Sequence, residues 1–256
     1  MSEFRGRFLW YELMTNDPKA AQDFYKRVVG WGLQEWTGMD KPYWMWTRGE
    51  TPIGGLMPLP PDAQKAGAPP CWLAYVGTPS VDETLSKAEG LGAKALAGPM
   101  DIPTVGRIAI LQDPQGASFA IYAPAQTPEA EAEAQVKDFS WHELATSDYE
   151  AAFAFYEKLF GWKRNDAVDM GPLGTYQMYG RGDRTYGGMY NKPKEMPTPP
   201  HWLLYTRIPD INKAAETVKS AGGQVLNGPM EVPGGDWIVQ CLDPQGAAFA
   251  LHATKA

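Results

Sequence analysis

Trp10-Tyr11-Glu12-Leu13-Met14-Thr15-Asn16-Asp17-Pro18 returns as Trp141-His142-Glu143-Leu144-Ala145-Thr146-Ser147-Asp148-Tyr149, and the residues beyond each copy return in the same order. Phe24-Tyr25 recurs as Phe155-Tyr156, Gly30-Trp31 as Gly161-Trp162, and Gly54-Gly55 as Gly187-Gly188. Trp72-Leu73-Ala74-Tyr75 recurs as Trp202-Leu203-Leu204-Tyr205, and Gly98-Pro99-Met100 as Gly228-Pro229-Met230. Asp113-Pro114-Gln115-Gly116-Ala117 recurs as Asp243-Pro244-Gln245-Gly246-Ala247. The offset stays at about 130 residues, far beyond the periods of solenoids and propellers. The chain is therefore a domain duplication with two related sites, and differences between the halves are informative.

Each copy opens on an alternating segment, Phe8–Leu13 or Phe139–Leu144, which predicts a strand. Asp17-Pro18 then supplies an N-cap with proline at the first helical position. Ala21, Phe24, Tyr25 and Val28 come next at helical spacing, Gly30 stops the helix, and the second copy repeats this from Asp148 to Gly161. Short strands are expected around residues 33–37, 43–47 and 53–58, which makes the unit βαβββ. The same order returns within each half: a strand over Trp72–Val76, a helix capped by Ser80, and strands around 95–102, 107–111 and 119–122. Asp113-Pro114-Gln115-Gly116 suits a type I turn. The expected architecture is α+β: four modules in two domains, 1–123 and 136–256. The linker, 124–135, is rich in Pro, Ala and Glu and reads as solvated or as a short acidic helix.

The 256 residues, 44% hydrophobic and 21% charged, suit two compact domains and exclude disorder over most of the length. A net charge of -7 argues against nucleic acid or an anionic membrane surface as partner. Cys71 and Cys241 stand at non-equivalent places in the repeats, which reads as two reduced, buried thiols. With no signal-peptide pattern at the start and no apolar run long enough to span a bilayer, the expected location is the cytoplasm. The expected assembly is a monomer or homodimer. Ten Trp and twelve Tyr make the aromatic content the exceptional number. Such residues recur on surfaces that take flat organic ligands, and they also build cores.

Four βαβββ modules, Asp-Pro at the first helix, Phe-Tyr then Gly-Trp at its end, and Asp-Pro-Gln-Gly before the last strand together resemble the vicinal oxygen chelate superfamily. That superfamily holds glyoxalase I, bleomycin-resistance proteins and extradiol dioxygenases, and the tandem arrangement is most similar to two-domain bacterial glyoxalase-like proteins. The resemblance implies curved sheets around open cavities, with helices outside. In metal-dependent members one ligand is a His seven residues before the Asp that opens the first helix. Here that position is Trp10 or Trp141. A second ligand is a Glu on the last strand, which maps to Ala120 or Ala250. A third maps near Leu73 or Leu203. None of these side chains binds zinc, nickel or iron, so no cofactor is expected and a divalent metal is not favoured.

Period two on the first strand sets Trp10 with Glu12, and Trp141 with Glu143, on the face that the resemblance turns to the cavity. Ala120 and Tyr122, or Ala250 and His252, share that face on the last strand. The candidate ligand-binding residues are Trp10, Tyr75, Tyr122, Trp141, Tyr205 and Arg207; the candidate catalytic groups are Glu12, Glu143 and His252. A carboxylate in an aromatic cavity is raised in pKa by desolvation and suits a general base; it equally suits a structural carboxylate held by an amide or a Tyr. His142 falls on the opposite face and reads as core, and His201 comes after Pro199-Pro200 and reads as exposed. Trp44 and Trp46 share a face that either lines the cavity or packs under a helix, and the Gly-Gly pairs read as turns or bulges. Three functions compete. The first is metal-free binding of a small aromatic or polyketide-like molecule. The second is acid–base catalysis of lyase, isomerase or hydroxylase type, by Glu12 or Glu143 with Tyr122 or His252. The third is a relocated metal site in the second half built on His252.

Overall fold

The structure, a computed structural model, describes residues 4–38 and 41–254. The first module runs β1 (Phe8–Thr15), α1 (Pro18–Val28), β2 (Gly32–Glu35), β3 (Trp44–Arg48) and β4 (Thr51–Pro58). A short helix α2 (Pro61–Lys65) precedes the second module: β5 (Cys71–Gly77), α3 (Val81–Gly90), β6 (Lys94–Ile102), β7 (Gly106–Gln112) and β8 (Ser118–Pro124). The third is β9 (Phe139–Thr146), α4 (Tyr149–Phe160), β10 (Lys163–Asp169), β11 (Thr175–Arg181) and β12 (Arg184–Asn191). The fourth is β13 (His201–Arg207), α5 (Ile211–Ser220), β14 (Gln224–Glu231), β15 (Trp237–Leu242) and β16 (Ala248–Ala253). Helix α2 carries no buried residue, so no hydrophobic period announces it in the sequence.

Side-chain caps set the helix starts, at Asp17, Ser80 and Asp148 where the sequence places them and at Asp210 in addition. Asp17 Oδ1 accepts from the Ala20 amide at 3.0 Å, Asp148 Oδ1 from Ala151 at 3.1 Å, and Asp210 Oδ1 from Lys213 at 2.9 Å. Ser80 Oγ accepts from Glu83 at 3.3 Å. Each such cap contributes roughly 1 kcal/mol. Helix α1 buries Ala21, Phe24, Tyr25 and Val28, the residues its period selects.

Each half forms one mixed eight-stranded sheet, in the orders β2-β3-β4-β1-β5-β8-β7-β6 and β10-β11-β12-β9-β13-β16-β15-β14. The βαβββ connection makes β1 parallel to β4 and β9 parallel to β12, with Glu12 opposite Gly55 and Glu143 opposite Gly188. Strands β5 and β8, and β13 and β16, are also parallel. The architecture is α+β, two halves of two βαβββ modules each.

Compact packing crosses the repeat. One unit joins the residues up to Leu9 with Ala74–Glu131 and Trp141–Trp202; the other joins Trp10–Leu73 with Ala132–Ser140 and Leu203–Ala256. Each unit thus takes one module from each half, with α3 against α4 in the first and α1 against α5 in the second. The repeated motifs serve this packing. In the second unit Tyr25 Oη donates to Asp243 Oδ2 at 3.2 Å and accepts from Trp72 Nε1 at 2.9 Å. The same three residue types recur in the first unit, where Tyr156 Oη donates to Asp113 at 2.9 Å and accepts from Trp202 at 3.2 Å. Each aspartate also ties its own turn: Asp113 Oδ1 accepts from the amides of Gln115, Gly116 and Ala117 at 2.7–3.0 Å. The Gly-Trp indoles donate to the carbonyls of Lys137 and Gly6, at 2.8 and 2.7 Å. Trp46 belongs to this core, within about 5.6 Å of the Tyr25 and Trp31 ring centroids, so the face shared with Trp44 packs under the helix.

The linker is neither helical nor simply solvated. An irregular backbone has carbonyls to satisfy, and arginines meet them: Arg184 donates to Glu131 O at 2.8 Å and Arg207 to Ala134 O at 3.0 Å. Arg48 pairs with Asp138 at 2.6 Å. Among the described residues no helix is long and apolar enough to cross a membrane.

Candidate functional site

Gly54-Gly55 and Gly187-Gly188 lie inside β4 and β12, not in a turn, although the β3–β4 and β11–β12 registers shift beside them. The reason is close approach from a neighbouring strand. A Cβ on Gly55 would overlap the Tyr43 hydroxyl and come 2.9 Å from Glu12 Oε1; a Cβ on Gly188 would overlap the Tyr176 ring. Glycine on the middle strand lets a phenol from the β3 side reach across to the carboxylate on β1, and likewise from β11 to β9.

The result is the same constellation in both halves. Trp10 Nε1 donates to Tyr43 Oη at 3.0 Å, and that hydroxyl flanks Glu12 Oε1 above Gly55. Trp141 Nε1 donates to Tyr176 Oη at 2.7 Å, and Tyr176 Oη donates to Glu143 Oε2 at 3.0 Å. Glu12 and Glu143 are 6% and 7% exposed, while both indoles and both phenols are half-buried. A carboxylate this buried is costly without a donor, and the phenol supplies one. The negative charge reaches its neighbours: the Cys71 thiol is pushed up to about 11, by burial first and then by Glu12. Tyr190 is pushed well above the ordinary phenol range, by burial and then by Glu143.

The other residues expected at the site are more dispersed. Tyr75 and Tyr205 are buried, at 4% and 1% exposure, and Tyr205 Oη accepts from Gln240 Nε2 at 2.8 Å. Tyr122 Oη donates to Val105 O at 3.0 Å. Arg207 spends a guanidinium N–H on the linker. His252 Nδ1 lies 2.9 Å from Ser140 Oγ and its Nε2 lies 2.9 Å from Asp236 Oδ2. His142 is core, as its strand face requires. His201, expected to be exposed, is half-buried with Nδ1 at 2.9 Å from Pro199 O.

Sequence reasoning singled out neither Tyr43 and Tyr176 as carboxylate partners nor Ser140, Asp236 and Gln240. A signal existed for the tyrosines: Tyr43 and Tyr176 are separated by 133 residues, as are Gly55 and Gly188. A phenol and the glycine beneath it therefore recur together.

The residues at the family's metal positions do not fit a divalent metal. An indole N–H is a donor without a lone pair, and Trp10 and Trp141 direct theirs at phenols; the other positions hold Leu and Ala. Among the described residues no three His, Cys, Asp or Glu side chains gather.

Against this geometry the chain matches the Glyoxalase/Bleomycin resistance protein/Dioxygenase superfamily over residues 7–121 and 138–251, and it belongs to that family. It is 31% identical over 254 residues to "Putative glyoxylase CFP32" of Mycobacterium bovis, covering 98% of this chain and 96% of that one. It is 27% identical over 257 residues to "Anthracycline biosynthesis protein DnrV" of Streptomyces peucetius, covering 96% and 92%. Among solved structures, the 2,3-dioxygenase LapB from Pseudomonas sp. KL28 is similar with a TM-score of 0.67 at 11% identity, covering 98% of this chain and 93% of that one. The Mn(II)-bound glyoxalase from Novosphingobium aromaticivorans is similar with a TM-score of 0.62 at 15% identity, covering 99% and 83%. These structural likenesses concern the fold.

Proposed function

We propose that the chain binds a flat, conjugated small molecule of aromatic or polyketide type, without a divalent metal at the family's usual positions. One observation supports the reading: in both halves a half-buried indole, a phenol and a buried carboxylate sit together, the indole at the position where the resemblance would put a metal-binding His. The indole offers a stacking face worth about 0.5–1.5 kcal/mol beyond burial. The carboxylate offers a charge-assisted acceptor to a hydroxyl on the ligand's edge, about 1.5–3 kcal/mol. The relative named for anthracycline biosynthesis agrees with a fused aromatic ligand.

Tryptophan fluorescence titration against hydroxylated anthraquinones and simpler phenols tests this. The expected result is saturable quenching, weakened about threefold to tenfold by Trp141→Ala or Trp10→Ala in a protein that keeps its fold. Absence of quenching by every compound defeats the reading. A second reading, acid–base catalysis, draws on the Tyr176–Glu143 hydrogen bond, which sets an ionisable O–H on a carboxylate. Turnover of a bound compound that is lost in Glu143→Gln, with binding kept, selects it.

A further inference from the structure

The two halves share the Trp–Tyr–Glu constellation but differ across the strands of their second modules. In the first half, β-sheet register aligns Ala97, Ile110, Ala120 and Tyr75 in one row and Met100, Ile108, Tyr122 and Gly77 in the next. In the second half the first of these rows reads Asn227, Gln240, Ala250 and Tyr205. The next reads Met230, Ile238, His252 and Arg207. Small Ala250 lets the Gln240 amide cross to the Tyr205 hydroxyl at 2.8 Å. Ala97, Ile110 and Gly77 in one half answer to the polar Asn227, Gln240 and Arg207 in the other.

Beside these polar residues is a linear chain that the first half lacks. Ser140 stands where the first half has Leu9, His252 where it has Tyr122, and Asp236 where it has Gly106. Ser140 Oγ is 2.9 Å from His252 Nδ1, and His252 Nε2 is 2.9 Å from Asp236 Oδ2. The His252 side chain is 15% exposed and that of Asp236 44%, so the chain runs from solvent inward to a half-buried hydroxyl. Arg207, beside His252 in register, directs its N–H to Ala134 O, and Asp236 is the carboxylate that meets the imidazole. A carboxylate on Nε2 fixes the proton there and leaves Nδ1, at 2.9 Å, as a nearer acceptor of the Ser140 hydroxyl proton than Tyr205 O at 3.4 Å.

We propose that Ser140, His252 and Asp236 form a proton relay, confined to the second half, that ionises an acidic phenol or enol of the bound molecule. This rests on the reading that the chain binds a conjugated small molecule, and names the group that molecule carries. The ligand O–H bond breaks and its proton passes to Ser140 Oγ. The proton of Ser140 passes at the same time to His252 Nδ1. The products are a ligand oxyanion, a neutral serine and an imidazolium paired with Asp236; no electron changes hands. Ser140 is the group that touches the ligand, His252 acts through it, and Asp236 is a positioning residue.

The test uses 1,2-dihydroxyanthraquinone, whose phenol and phenolate absorb at different visible wavelengths. Binding to the wild-type protein should lower the phenol's apparent pKa by about one unit, a tenfold rise in the phenolate-to-phenol ratio at fixed pH. Ser140→Ala and His252→Gln should abolish that rise while quenching of protein fluorescence persists. Ser118→Ala, at an exposed serine on the last strand of the first half, should leave it intact. A rise that survives Ser140→Ala or His252→Gln, or that is lost in Ser118→Ala, overturns the relay. Absence of quenching defeats the binding reading instead, and the relay is then judged without ligand by imidazole nitrogen-15 resonances. A His252 ring carrying its proton on Nε2, with that tautomer preference lost in Asp236→Asn, supports it; one carrying it on Nδ1 overturns it.

Discussion

The ring of Phe8 lies flat on that of His142, centroids 3.6 Å apart and planes within 4°. Its repeat equivalent is the stack of Tyr11 on Phe139 at 3.8 Å. His142 is buried, with Nδ1 at 2.8 Å from Tyr186 O, and burial pushes its pKa from 6.5 down to about 4. The folded value lies below the unfolded one, so the neutral ring stabilises the fold fully above pH 6.5, and that contribution is lost as pH falls towards 4. A shift of this size corresponds to about 3 kcal/mol. His142→Tyr, which copies Tyr11, should lack the loss. Urea unfolding of the two proteins across this pH window measures the difference; parallel pH profiles would show that His142 is not its source.

Gly188→Ala should drive Tyr176 off Glu143, because the new methyl occupies the position of the phenol ring. A cost of about 1–3 kcal/mol in stability is expected from overpacking, with a clear loss of ligand affinity at the second site. Gly182→Ala, a positive-φ turn position with nothing within 4 Å, is the control for backbone strain alone. Equal losses in the two variants would show that the glycine is there for flexibility.

Tyr156→Phe removes the hydroxyl that bridges Asp113 and Trp202, taking a hydrogen bond from a buried indole N–H and another from a carboxylate oxygen. The expected destabilisation is about 1–3 kcal/mol. Tyr25→Phe should cost a similar amount through Asp243 and Trp72. The two sets have no residue in common, so the double variant should be additive within about 0.5 kcal/mol. Chemical denaturation checks both sums.

Cys71 reports on Glu12. Its thiol, pushed up to about 11, should alkylate slowly at pH 8–9, and Glu12→Gln should speed the reaction by removing the adjacent negative charge. Cys241, fully buried and pushed up to about 12, should stay slow in both proteins. Mass spectrometry of iodoacetamide adducts separates the two sites. An unchanged Cys71 rate would place the Glu12 charge elsewhere.

The modules, caps and helix-facing residues were legible because they rest on local rules: Asp17, Ser80 and Asp148 cap where the sequence places them. Phe119 and Phe249 bury on the helix side that alternation assigns. The Gly-Gly pairs were legible only in part: a register shift does lie beside each, as a bulge would give, but the phenol that reaches over the glycine from the neighbouring strand was not announced by any local pattern. Nor was the pairing of modules across the repeat: the two halves carry nearly the same core residues, and either pairing would bury them. The His252 chain depended on Asp236, in a Gly-rich connection whose course no period predicts.

That cross-pairing makes the covalent join between the halves a device for stoichiometry. A half-chain ending before the linker would own one module of each packing unit and complete neither. Two such half-chains could restore both units only by finding each other in solution and exchanging partners. The residues from Glu131 to Asp138, gripped by Arg184, Arg207 and Arg48, turn that encounter into an intramolecular one. Joined copies can differ without losing each other, and here one half holds a serine, a histidine and an aspartate where the other holds leucine, tyrosine and glycine.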